Sequence, residues 1–222
     1  MEVDEELDNC ITELNTASQE IDSMFNHIEH LMSWGDFLEQ CKTGIDNVSV
    51  RLDSIEFMAE SCSQISNGID INFSIGVCWI GAVATYEGYL HNLLLNALSV
   101  SSLQERITEF CQRKIDAGTP PRKGMKNATS ESIREWLTSR TITDPRKLAD
   151  NFDEIFGIRT MRADDEFCDR LLKIRNSFTH RGGLQEISLQ DLRDMTKELN
   201  NLVIAYTQSL TSEVDKILKQ AL

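Results

Sequence analysis

The chain has 222 residues, only three prolines and a formal net charge of −14, with apolar residues at 41%. That length accommodates one or two domains with a sizeable core, and the scarcity of proline leaves long stretches free to be helical. The charge is uneven: residues 1–70 hold 16 Asp/Glu against 2 Lys/Arg, whereas residues 71–222 hold 20 of each. The total therefore does not exclude nucleic acid, because binding responds to local potential. The six cysteines, Cys10, Cys41, Cys62, Cys78, Cys111 and Cys168, form no Cys-x-x-Cys pair. They read as reduced core residues of a cytoplasmic protein, not as a disulfide frame or zinc site. No basic region followed by an apolar run marks a signal peptide, and the longest apolar run, Ile75–Ala84, is too short for a bilayer. No membrane partner is expected.

Residues 4–32 carry a heptad pattern, with Leu7, Leu14, Ile21 and Ile28 in one position and Cys10, Ala17, Met24 and Leu31 three residues on. Residues 37–65 repeat it with Leu38, Ile45, Leu52 and Ala59 alternating with Cys41, Val48, Ile55 and Cys62. Such repeats predict long helices packed along a seam. Between them Gly35 can stop one helix and Asp36 can cap the next. The pattern predicts an antiparallel helical hairpin over residues 1–66, each arm about 42 Å long. Its carboxylates read as a solvated face or as a docking surface for a basic partner.

Ser66-Asn67-Gly68 breaks the pattern. Ile69, Ile71, Phe73 and Ile75 then alternate as in a strand, but no second strand is evident to pair with them, so the prediction is a helix over 70–98. It is apolar all round near Val77–Ala84 and should be central. Its Glu87 has two readings: a surface or structurally paired carboxylate, or a site residue facing Arg175. A further helix is predicted over 103–115. A loop with Gly118, Pro120-Pro121 and Gly124 follows, and residues 111–126, from the end of that helix through the loop, gather Arg113, Lys114, Arg122, Lys123 and Lys126 against Asp116 alone. This is the clearest basic patch, either a solvated loop or a phosphate contact. Ser132 and Glu135 fit a capping box for a short helix to about Ser139. Asp144-Pro145 opens another helix that Gly157 closes.

From Asp164 to Gly183 the chain reads DDEFCDRLLKIRNSFTHRGG. Asp164 can cap a helix whose apolar stripe is Phe167, Leu171, Ile174 and Phe178, and Gly182-Gly183 can end it. Asn176 and His180 stand four apart and share a face beside Arg175 and Arg181. A fixed cation, an amide and an imidazole thus meet at one helix end. An Arg and a His there also complement the helix dipole, so spacing alone does not settle a role. Ser188 and Asp191 cap a last helix, Leu189 to about Leu218.

RNSFTH after the apolar LLKI resembles the Arg-x4-His signature of the HEPN superfamily of helical nucleases and nucleotide-binding proteins. IGAVATYEGYL, Ile80–Leu90, resembles the early helix of its RiboL-PSP-HEPN subgroup, and QEISLQDL resembles the start of the closing helix. Thr179 departs from the pattern, where Ala is commoner. The resemblance covers roughly residues 70–222 and implies an all-α helical bundle over 67–222, often a dimer whose two motifs share a cleft. It implies a metal-independent endoribonuclease with Arg175, Asn176 and His180 as catalytic residues and Glu87 in support, needing no metal or cofactor. Arg113, Lys114, Arg122, Lys123, Lys126, Lys173 and Arg181 are the expected RNA contacts. The expected partners are RNA and a second copy, with room for an antitoxin or other protein partner. The alternative is a non-catalytic HEPN module that binds RNA, a nucleotide or a protein.

Overall fold

The computed structural model describes residues 2–64, 70–139, 142–180 and 185–221; of residues 2–10 and 217–221 only the backbone is described. Among them the chain forms seven α-helices and no strand. These are α1 (Glu2–Gln64), α2 (Ile71–Ala97), α3 (Ser101–Asp116), α4 (Ser130–Ser139), α5 (Pro145–Phe156), α6 (Asp165–His180) and α7 (Leu189–Ala221). No helix among the described residues is long and apolar enough to cross a membrane.

The expected hairpin over residues 1–66 does not form. α1 is one continuous helix through Gly35, about 95 Å long at 1.5 Å per residue. A glycine inside a helix costs about 0.5–1 kcal/mol relative to alanine. Its neighbours outweigh that: Trp34 and Phe37 are 1% and 0% exposed, and burying one large side chain contributes roughly 1.5–3 kcal/mol. Asp36 is exposed within the helix and caps nothing.

α2 is the centre of the bundle, packed against α1, α4, α6 and α7. Its residues Trp79, Ala82, Val83, Tyr86, Leu90 and Leu94 are buried. A Cβ added at Gly44 of α1 would stand 2.6 Å from the Tyr89 ring of α2, so α1 and α2 approach closely only because Gly44 lacks one. Tyr89 also bonds the Thr207 hydroxyl, tying α2 to α7. Residues 34–62 of α1 share this core through Cys41, Val48, Leu52 and Ala59.

The shorter helices are set by their caps. Asp144 accepts from the Arg146 N–H at 3.1 Å and Pro145 begins α5. Gly157, at φ 66°, closes it, with its N–H on the Asp153 carbonyl at 2.9 Å. Ser188 and Asp191 cap α7 reciprocally, at 2.9 and 3.1 Å. The capping box predicted at Ser132 and Glu135 lies one turn earlier. Thr129 and Ser132 exchange backbone-to-hydroxyl bonds at 3.0 and 3.2 Å, so α4 starts at Ser130.

Candidate functional site

α6 is built as its sequence suggests. The Asp164 carboxylate accepts from the N–H groups of Glu166 and Phe167 at 2.9 and 3.1 Å. Cys168, Leu171, Ile174, Ser177 and Phe178 form the buried face, while Phe167 is half-buried. Burial pushes the Cys168 thiol up to about 11, so it remains protonated and unreactive at neutral pH. Gly182-Gly183 and Arg181 lie outside the described residues.

The polar face of the last two turns carries the motif. Arg175 is half-buried, and its Nη1 donates to the Asn176 Oδ1 at 3.2 Å. Asn176 and His180 are exposed. Thr179, in the place where Ala was expected, donates its hydroxyl to the Arg175 carbonyl at 2.7 Å and so stays within its own helix. Lys173 is exposed on the same helix. The motif thus meets solvent with an amide already joined to the guanidinium and an imidazole one turn on.

Two residues of α2 hold this helix end, and sequence reading passed over both. Phe178 lies against Gly76, where an added Cβ would stand 2.0 Å from the ring. Asn72 grips the chain just after α6. Its Nδ2 donates to the Gln185 carbonyl at 3.0 Å and its Oδ1 accepts from the Ile187 N–H at 2.8 Å. The available signal was Gly76 within an otherwise large apolar run, a place where another element can approach closely. Nothing local marked Asn72.

Glu87 does not face Arg175. Its carboxylate accepts a hydrogen bond from the buried Thr143 hydroxyl, and no ion pair joins it to Arg175. The reason is position along the helix. Glu87 lies eleven residues beyond Gly76, about 16 Å further along α2. There α2 meets the opposite end of α6, where Arg146 binds Asp144 at 3.0 Å and Asp169 at 2.9 Å. Partial burial works against the Asp144 carboxylate, but the Arg146 side chain and N–H outweigh it and hold the carboxyl below its ordinary value.

The basic patch is only partly free. Lys114 lies over the Phe110 ring, 5.5 Å from its centroid, and pairs with Glu154 of α5. Arg122 pairs with Glu135 of α4. Arg113, Lys123 and Lys126 are exposed and form no ion pair among the described residues. Two carboxylates distant in sequence therefore offset charge that a local count assigns to the patch. Nor is the patch brought to the motif: α3 packs on α4 and α5, whereas α6 packs on α2 and α5.

No curated protein and no solved structure matches the chain. A family model, RiboL-PSP-HEPN, matches residues 46–212. That stretch runs from the second half of α1 into α7 and contains Arg175, Asn176 and His180 with both of their α2 supports. The chain is therefore a member of the RiboL-PSP-HEPN family.

Proposed function

We propose that the protein is a metal-independent endoribonuclease of HEPN type, a toxin or host-defence RNase whose active site is shared by two copies. One observation carries the reading: the buried face of α6 fixes the helix, while Arg175 bonds Asn176 and both Asn176 and His180 face solvent, with no side-chain bond from the three to another helix among the described residues. Exposed Phe73 and Val77, on the α2 end that seats Phe178, offer a second copy apolar surface to cover.

The chemistry follows from the side chains. A ribose 2′-OH attacks the adjacent phosphorus and the bond to the 5′ oxygen breaks, leaving a 2′,3′-cyclic phosphate and a 5′-OH. His180 takes the hydroxyl proton while His180 of a second copy protonates the leaving oxygen. Arg175 stabilises the charge gathering on the phosphoryl oxygens. The Asn176 oxygen is committed to Arg175, which leaves its NH2 to donate to phosphate. Lys173 and the exposed Arg113, Lys123 and Lys126 steer the RNA backbone.

The test is cleavage of a labelled RNA pool with and without EDTA, beside His180→Ala and Arg175→Ala. Cleavage should survive EDTA and fall at least about a hundredfold in each variant, the usual worth of a general acid–base group or a charge-stabilising donor. Wild type as inert as both variants would sink the nuclease. A monomeric mass by light scattering at working concentration would sink the shared site. Gly76→Ala leaves the motif intact but forces the Phe178 ring aside. It should still lower the rate, on the order of a hundredfold for a displacement near 1 Å. The second reading, a non-catalytic binding module, is favoured by the separation of the loop cations from α6.

A further inference from the structure

The first half of α1 stands apart from the bundle. From Ile11 to Ser33 no side chain is buried, and burial begins at Trp34. Yet this arm is patterned as if it had a partner. Leu14, Met24 and Phe25 are 69%, 65% and 61% exposed, and Ile21, Ile28 and Leu31 continue the same stripe. In heptad terms the stripe fills a, d and e. Ile11, Phe25 and Met32 occupy e, so the apolar face is wider than the a/d seam of a two-stranded coil. So wide and contiguous an exposed apolar face marks an interaction site.

The charges bordering the stripe select the occupant. Glu13, Glu20 and His27 fill the g positions on one side, and Asp22 and Glu29 lie at b beyond the other. Residues 1–41 hold 11 Asp/Glu and no Lys or Arg. A second copy fits poorly. An antiparallel pair sets g against g, where Glu13, Glu20 and His27 of two copies bring no Lys or Arg to offset the carboxylates. A parallel pair leaves the e residues outside the seam and draws two uncompensated acidic helices together. An anionic membrane surface is repelled for the same reason. Among the described residues nothing covers the stripe, whose apolar side chains stay exposed, and residues 34–62 of α1 already pack in the core.

We propose that the arm, residues 11–33, is the docking site for a basic amphipathic helix of another protein, one whose apolar face is bordered by Lys and Arg. Its large apolar side chains fill the shallow places beside Ala17, and its cations meet Glu13 and Glu20. The site does not depend on the nuclease reading, because it shares no residue with the motif.

The test uses the full chain and two labelled synthetic helices with one Leu/Ile heptad face, the first flanked by Lys and Arg and the second by Glu. Fluorescence anisotropy should show the basic helix binding at least about tenfold tighter than the acidic one, since like charges placed together cost several kcal/mol and 1.4 kcal/mol is already tenfold. The affinity should weaken as salt is raised. Ile21→Glu/Ile28→Glu should abolish binding, and Glu13→Lys/Glu20→Lys should reverse the preference, both without loss of helical circular dichroism. Equal binding of the two helices, or binding that survives the Ile21/Ile28 change, would overturn the proposal. So would a light-scattering mass that drops in the Ile21→Glu/Ile28→Glu variant, which would assign the stripe to a second copy.

Discussion

The two halves of α1 carry the same heptad repeat and meet opposite fates. Residues 34–62 bury Trp34, Phe37, Cys41, Val48, Leu52 and Ala59, while residues 11–33 leave Leu14, Ile21, Met24 and Ile28 in solvent. Nothing in the spacing separates them. The difference lies in what each half meets: one half lies along α2 and α7, the other passes beyond them. Periodicity thus reports that a helix face needs a partner and is silent on whether the same chain provides it.

The largest expected effect tests that contrast directly. Trp34→Ala or Phe37→Ala should lower unfolding free energy in denaturant titration by about 3–5 kcal/mol, as for aromatic cores generally. Ile21→Ala or Met24→Ala should change it by less than about 0.5 kcal/mol. Equal losses in the two halves would mean that the arm is covered within the protein. Next come two glycines on the same helix. Gly44→Ala pushes a methyl into the Tyr89 ring and should cost about 1–3 kcal/mol. Gly35→Ala meets nothing within 4 Å and should stabilise by about 0.5–1 kcal/mol. A destabilised Gly35→Ala would show that the helix needs that glycine after all. The smallest effect concerns acid. Asp144 is held below its ordinary 3.8, so its share of stability is present above that value and is lost as pH falls through the lower folded value. Thermal unfolding followed from neutral pH downward should show a steeper loss below about pH 4 in wild type than in Asp144→Asn. The arm holds no Lys or Arg to pair with its carboxylates, so it has no such ion pair to lose and should keep its helical signal over the same range.

What could be read in advance was whatever is written locally. Asp144-Pro145 with Gly157, Ser188 with Asp191, and Asp164 ahead of an apolar stripe each satisfy their own backbone groups within a few residues. Asn176 and His180 share a face by helical spacing, and Arg175, Asn176 and His180 were legible as a set through the resemblance of RNSFTH to the Arg-x4-His signature. What escaped was decided at long range. Gly35 reads as a stop, and the burial of Trp34 and Phe37 overrides it. Phe178 on Gly76, Asn72 on Gln185 and Ile187, and Glu87 on Thr143 join residues that no periodicity relates. The charge of the basic loop was miscounted for the same reason, because Glu135 and Glu154 arrive from other helices.

The unbroken α1 has a consequence for how the assembly state must be measured. A compact 222-residue globule has a radius of gyration of about 17 Å. Residues 2–33 extend a rod of about 48 Å from one end of the bundle. Hydrodynamic drag follows the longest dimension, so a single copy will elute and sediment as a larger, elongated particle. A retention volume calibrated on spheres would therefore announce a dimer where there is one molecule, and only a shape-independent mass can say whether two motifs meet.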